Sequence, residues 1–383
     1  MRLDSLGITE NYPRMIQSSH YSIVIPFHSN ERLLRFCLTT LLATVPHEVE
    51  KIIVLNNHRA NELPADIDTS HFRVIRHDKS LGYSHAVNAG AGVARGRTLI
   101  FCDADTFYTG DWFFALAHFH RNTPNIGLAS SRLLDPRTGR VLDFGIAFTK
   151  YNAPHPQRDA LADHPTVTRP RPVQAACSAN MIIEAELFSS VGMFDEELHN
   201  AYMDLDLCLR LKDLGRDCWV VNQSTAFHRG DSAHTHRGSY WADVKAMFAS
   251  KNVGRIEPDM HLYFRESLAS FRSSHGFASK YLLIDLSSVV DRAWHYDLLR
   301  EYVELVSVYD YSPVARDLST LSLIDHLGVN VLESRAALLY FVDRFISLQG
   351  NRMWLEMRRR SDDLVVDRNA NVALLSEVVS GVC

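Results

Sequence analysis

Two aspartates one residue apart, Asp103 and Asp105, stand directly behind the apolar run Leu99-Ile100-Phe101-Cys102 in the stretch LIFCDADTF. A continuous apolar run of this kind reads as a strand buried on both faces of a parallel sheet, and open α/β sheets bind ligands beyond the carboxyl ends of such strands. Carboxylates are hard oxygen donors suited to Mg²⁺ or Mn²⁺, ions that usually bind through one or two carboxylates plus the phosphates of a substrate. A negatively charged chain that takes up a diphosphate needs such a bridge. The competing reading is architectural, because Asp is frequent in turns and an isolated Asp-X-Asp often does no more than cap the next element.

The elements that must position these acids follow an alternation of short β-rich runs and helix-length segments, the pattern of a mostly parallel sheet covered by helices. YSIVIPF (21–27), KIIVLNN (51–57), FRVIRH (72–77) and RTLIFC (97–102) read as strands. ERLLRFCLTTLLATV (31–45) places Leu33, Leu34, Cys37, Leu38, Leu41 and Leu42 on one helical face, SHAVNAGAGVA (84–94) is a helix of small, close-packing residues, and DWFFALAHFHRN (111–122) is a third helix. Strands at 126–134 and 141–148 follow, then a strand and two helices in 180–217, and CWVV with STAFHRG closes this core near residue 230. The segment 150–172 carries five prolines and no periodicity and is expected to be a long, mobile loop beside the site.

Composition narrows the function classes. The chain has 383 residues, 46% hydrophobic, with a net charge of −5, so no polybasic surface for nucleic acid or membrane is indicated. Six scattered cysteines without CxxC spacing argue against a disulfide framework or a zinc ribbon and for a reducing, cytoplasmic setting. The N-terminal MRLDSLGITENYPRM is too polar for a secretory signal. The longest apolar run near the C-terminus, residues 336–342, is far below the roughly 18 residues of a membrane span.

Four stretches occur in one order over about 210 residues: SIVIPFHSNERLLRFCL, GYSHAVNAGAGVARGRTLIFCDADT, NMIIEAELFSSVGMFDEELHNAYMDLDLCLRL and AFHRGDS. As an ordered set they resemble the family-2 glycosyltransferases of the GT-A fold, over about residues 20–232. The resemblance implies an α/β fold with a Rossmann-like, mostly parallel central sheet flanked by helices. It also implies an inverting transfer of a sugar from a nucleoside diphosphate (UDP, GDP or dTDP) to a glycan, small-molecule or polypeptide acceptor. Carried over position by position, it implies that Pro26 and Phe27 line the base pocket, Gly82 and Asn88 shape the nucleotide floor, Asp103 contacts the ribose and shares the metal, and Asp105 holds it. His228 completes the metal or diphosphate site, Ser232 donates to phosphate, and Asp204 is the general base. The metal is Mn²⁺ or Mg²⁺.

Three departures matter. The tyrosine-asparagine usual after the proline is His28-Ser29, and the acid usual at the end of the second strand is Asn56 or Asn57. The glutamate usual before the catalytic aspartate is Met203, and Asp206 is an alternative base. On a helix Asp204 and Asp206 point to different faces, so one of them addresses substrate and the other braces the helix, with Asp204 favoured as base. His228 has its own bland reading as a satisfied structural histidine, and a zinc site in HRGDSAHTH lacks partners at ligand spacing. Two rival functions stay open: a catalytically silent nucleotide-sugar-binding protein, and a sugar-phosphate nucleotidyltransferase, although PFHSNER lacks the glycine-rich phosphate loop of the latter. Beyond about Tyr240, WADVKAMFASKN, RAWHYDLLREYVELV and SRAALLYFVDRFISLQ read as helices, with YLLIDL (281–286) the one good strand. The expected organisation is a GT-A catalytic domain over 1–250 and a mainly helical region over 251–383 that serves packing, self-association or acceptor binding.

Overall fold

The computed structural model describes residues 17–57, 63–66, 68–149, 152–230, 238–275, 281–287, 309–310, 337–351, 355 and 360–381. The chain divides into two units, one of residues 1–147 and 158–257, the other of 148–157 and 258–383.

The first unit is built on strands β1 (Tyr21–Phe27), β2 (Glu50–Asn56), β3 (Phe72–His77) and β4 (Thr98–Cys102), joined by helices α1 (Glu31–Thr44) and α2 (Tyr83–Val93). These four strands are parallel in the order β3-β2-β1-β4. Beyond β4 the sheet changes direction. β5 (Thr106–Tyr108), helix α3 (Trp112–Asn122), β6 (Ile126–Leu134), β7 (Val141–Asp143), β8 (Arg171–Val173), β9 (Asn180–Glu184), helices α4 (Ala185–Ser190) and α5 (Met203–Asp213), β10 (Asp217–His228) and helix α6 (Gly238–Lys251) complete the unit. β9 runs antiparallel to both β4 and β6, β10 lies parallel to β6, and β5 pairs antiparallel with the end of β10.

Alternation along β1 decides which helix covers which face. Ile23, Ile25 and Phe27 join Leu34, Cys37, Leu38 and Leu41 of α1 in one buried cluster. Val24 points to the other face, where a Cβ on Gly90 of α2 would lie 2.4 Å from its Cγ1. Only glycine lets α2 approach the sheet that closely. Pro26 is tolerated inside β1 because the ladder to β4 ends at Val24 and Phe101, so its missing N–H is not needed on that side.

The proline-rich segment is a correction to the expected free loop. Among its described residues Gln157, Thr166 and Val167 are buried. The buried guanidinium of Arg132 donates to the carbonyls of Ala162 (2.7 Å) and Val167 (3.2 Å), and Pro165–Val167 forms a turn of 3-10 helix. Proline removes helical and strand periodicity without removing side-chain anchors, and a periodicity argument cannot see an arginine donating from β6.

The second unit also departs from expectation. Where one good strand was expected, its described residues hold a five-stranded sheet in the order β12-β11-β13-β14-β15. Its strands are β11 (Tyr281–Asp285), β12 (Tyr309–Asp310), β13 (Ala337–Val342), β14 (Leu364–Asp367) and β15 (Val372–Leu374), accompanied by helices α7 (Met260–His275) and α8 (Leu375–Ser380). All pairs are parallel except β14 with β15. Residues 337–342, ALLYFV, are all buried. A short run apolar on every side is equally compatible with a buried helix or a buried strand, which is why the sequence misleads there. RAWHYDLLREYVELV lies outside the described residues.

Candidate active site

The turn after β4 is made by backbone groups. Thr106 N–H donates to the Asp103 carbonyl at 3.1 Å, and Asp103 N–H donates to Ala179 O at 2.9 Å. The turn therefore does not require the Asp103 carboxylate, whose Oδ1 is buried without a hydrogen-bond partner among the described residues. The capping explanation does not account for it. β5 pairs with β10 so that Thr106 lies opposite His228. This register brings the imidazole onto the two acids across more than a hundred residues of chain. His228 Nε2 lies 3.1 Å from Asp105 Oδ1 and 3.5 Å from Asp103 Oδ2. One donor atom from each of Asp103, Asp105 and His228 fits within 4.8 Å of the others. Two hard oxygens, one imidazole nitrogen and an unsatisfied carboxylate oxygen suit a divalent cation such as Mn²⁺ or Mg²⁺.

The electrostatics point the same way. Burial and the crowding of Asp105 and Asp204 push the Asp103 carboxyl up to about 6, against the pull of His228. Burial alone lowers the affinity of His228 for its proton, but Asp105, which shares a hydrogen bond with it, and then Asp103 and Asp143 outweigh that and hold it up at about 9. Without a cation, the charge that balances the acids is the histidine proton.

Asp204 sits in the first turn of α5, preceded by Tyr202 in the left-handed conformation (φ 64°). Its Oδ2 accepts Ser178 N–H at 3.1 Å and its Oδ1 accepts Leu205 N–H at 3.0 Å. Two backbone N–H groups leave about half of a carboxylate's lone-pair positions for a substrate proton. Burial raises the Asp204 carboxyl, the two backbone bonds pull it down and Asp143 pushes it further up. Asp206 is placed differently. It takes Arg210 Nε on Oδ2 at 2.8 Å and Asn252 Nδ2 on Oδ1 at 3.0 Å, and Arg210 also donates to the carbonyls of Val191 and Met193. This is a bracing pair between α5, the turn after α4 and the end of α6. Breaking a buried ion pair by removing one partner costs about 3–5 kcal/mol. Asp206→Ala is therefore expected to lower unfolding free energy by about that amount in urea titration, and donor affinity, measured on the fraction still folded, should stay near wild type.

The loop 194–202 that delivers Asp204 is held from several sides. Asn88 accepts Phe194 N–H and donates to Phe194 O and Glu196; Ser84 donates to His199 O; and Tyr83 N–H donates to Asn200. From α6, Lys251 binds Asp195 and Glu197, and the Phe248 ring stacks on Tyr202 with centroids 5.1 Å apart. Asn88 thus spends its amide on this loop and not on an open floor. Asn56 is likewise spent, its Oδ1 accepting Leu81 N–H at 2.9 Å and its Nδ2 donating to Gly82 O at 3.0 Å. Gly82 has φ +92°, and a Cβ there would meet His199 at 3.2 Å. Pro26 and Phe27 are both buried at the end of β1, Phe27 within the core cluster. Ser232 lies outside the described residues. Phe248, Lys251, Asn252 and the buried Asp143 escaped the sequence reading, since no motif or spacing ties the end of one helix to the start of another about 40 residues earlier.

Residues 22–169 match the family model described as Glycosyl transferase family 2. That stretch is a glycosyl transferase family 2 domain. It contains Asp103 and Asp105 and the parallel β3-β2-β1-β4 half of the α/β unit. Among curated proteins, the chain is 24% identical over 236 residues to uncharacterized protein y4gI of Sinorhizobium fredii (strain NBRC 101917 / NGR234), covering 56% of this chain and 25% of that protein. It is 27% identical over 242 residues to O-antigen biosynthesis protein RfbC of Myxococcus xanthus, covering 59% of this chain and 19% of that protein. The chain thus spans a quarter or less of the length of these curated relatives. Among solved structures, GalNAc-T7 with UDP, GalNAc and Mn²⁺ aligns with a TM-score of 0.46 at 15% identity, over 66% of this chain and 57% of that one. Among the described residues no helix is long and apolar enough to cross a membrane.

Proposed function

We propose that this family 2 domain transfers a sugar from a nucleoside diphosphate to an acceptor hydroxyl with inversion at the anomeric carbon. The observation that carries the reading is the convergence of Asp103, Asp105 and His228 on one point, with Asp204 close enough to Asp103 for its charge to raise that carboxyl. Asp103, Asp105 and His228 would hold a divalent cation, which supplies Lewis-acid stabilisation of the departing diphosphate. Asp204 accepts the acceptor's hydroxyl proton as that oxygen bonds to the anomeric carbon, and the electron pair of the broken C–O bond leaves with the diphosphate. One displacement inverts the centre. The loop contacts from α2 and α6 hold the base in place while this happens. The relative named for O-antigen biosynthesis favours a glycan as acceptor.

Met203 in place of the usual glutamate favours a second reading, a domain that binds the donor without turning it over. A panel of UDP-, GDP- and dTDP-sugars, assayed with Mn²⁺, with Mg²⁺ and in excess chelator, separates the two. Release of nucleoside diphosphate that needs the metal supports transfer. Metal-dependent thermal stabilisation by a donor that is never consumed would establish the silent binder instead.

A further inference from the structure

Helix α2 opens on Tyr83, directly after Gly82. Its N–H donates to Asn200 Oδ1 at 2.7 Å, and its ring packs against Phe194 with centroids 6.2 Å apart. The next residue, Ser84, donates to His199 O from both its N–H (2.8 Å) and its hydroxyl (3.0 Å). The loop that delivers Asp204 therefore holds the phenol by backbone and ring together.

The hydroxyl at the end of that ring is buried and has no hydrogen-bond partner among the described residues. Asp103 and Ser178 have side chains near enough to shift its proton affinity, yet neither completes a hydrogen bond with it. Asp103 Oδ1 is buried and unpartnered in the same way. Two neighbouring side chains thus each bury a polar atom with nothing to bond. Burying a hydroxyl unpaired is unfavourable, and phenylalanine would fill the same space without that penalty. The phenol oxygen serves a bound group, since the free protein gains nothing from it.

The chemistry of the two atoms selects that group. A phenol donates as well as accepts, whereas an ionised carboxylate only accepts. A phosphate oxygen has no proton to give and is repelled by Asp103, and a cation offers the phenol proton no acceptor. A sugar hydroxyl can donate to Asp103 Oδ1 and accept from Tyr83 at once. Asp103 Oδ2, the oxygen 3.5 Å from His228, stays available to the cation. Position decides which hydroxyl is meant. Asp103 belongs to the cation site, and Ser178 N–H donates to Asp204 Oδ2 at 3.1 Å. The phenol oxygen therefore stands between the diphosphate end of the site and the base, where the sugar under attack must lie, with the nucleoside on the far side of the diphosphate.

We infer that Tyr83 is a specificity residue for the donor sugar: its hydroxyl donates to a hydroxyl of the transferred sugar, which in turn donates to Asp103. The inference rests on the glycosyl transfer proposed above.

The test compares wild type with Tyr83→Phe in Mn²⁺, by calorimetric titration of UDP, GDP and dTDP and of UDP-glucose, UDP-N-acetylglucosamine, GDP-mannose and dTDP-glucose. Whichever nucleotide sugar wild type binds should bind the variant about tenfold more weakly, as befits one lost hydrogen bond. The parent nucleoside diphosphate should bind both alike, and the free variant should melt no lower than wild type. Deoxy analogues of that donor, each lacking one hydroxyl of the transferred sugar, locate the contact: one deletion should weaken wild type more than it weakens the variant, the sign of a shared interaction. The inference fails if the variant binds the nucleotide sugar like wild type. It fails equally if the nucleoside diphosphate loses as much affinity as the nucleotide sugar, which would put the contact on the ribose, or if the free variant unfolds more readily, which would make the hydroxyl part of the fold. In each of these cases donor binding by wild type leaves glycosyl transfer standing. Wild type that binds none of the seven ligands would overturn the transfer reading and this inference with it.

Discussion

Asp105→Ala is expected to abolish metal-dependent release of nucleoside diphosphate, a loss of about 10³-fold or more if the cation contributes the several kcal/mol typical of a Lewis acid. The fold should survive, because the carboxylate sits at the turn beyond β4 and the turn is held by backbone bonds. The same variant makes a prediction about protons. Asp105 is the chief reason His228 stays protonated to about 9 against the effect of burial. A histidine whose folded value lies above the ordinary 6.5 adds stability that is fully present below 6.5 and is lost as pH rises through about 9. In chelator, the melting temperature of wild type should therefore decline relative to Asp105→Ala across that interval. Mn²⁺ must displace the same proton to reach Nε2, so its apparent affinity should weaken as pH falls, and titrations in buffers of different ionisation enthalpy should register proton release. Full turnover in Asp105→Ala, or metal affinity independent of pH, would remove the triad from the chemistry.

How much of this was legible depends on the range of the interaction concerned. β1, β2, β4, α1 and α2 declare themselves through local pattern, because a strand buried on both faces is a continuous apolar run and α1 repeats its apolar residues at helical spacing. The partnership of Asp105 with His228 could be suspected from motif order, yet it is fixed by the register of β5 on β10, which no local pattern encodes. Polar side chains misled most. Asn56 and Asn88 look available for a ligand, and both are consumed by backbone groups of neighbouring loops. Phe27 looks like a pocket wall and is core. The sheet of the second unit was missed because ALLYFV offers no polar face by which a strand can be told from a helix.

Asp204→Asn separates binding from chemistry. Transfer measured in a single turnover is expected to fall by at least the roughly 10²-fold typical of a lost general base, with donor affinity near wild type. Asparagine has only one carbonyl oxygen, so it can serve Ser178 N–H or Leu205 N–H but must turn its amino group toward the other. That costs about 1 kcal/mol of stability, far less than the loss expected for Asp206→Ala. The two variants should therefore diverge in opposite directions, one losing rate and the other losing stability. The pH profile adds a readout that partial unfolding cannot mimic. Burial raises the Asp204 carboxyl, so wild-type turnover should have an acid limb above the ordinary carboxylate range, because the base works only when ionised. The residual activity of Asp204→Asn should lack that limb. If Asp204→Asn transfers normally and a folded Asp206 variant binds donor without transferring it, the base lies two residues further along α5. Should both transfer normally, no carboxylate in the first turn of α5 is the base. The acceptor proton would then have to leave by another group, and Asp143, buried near enough to raise both His228 and Asp204, is the residue to replace next.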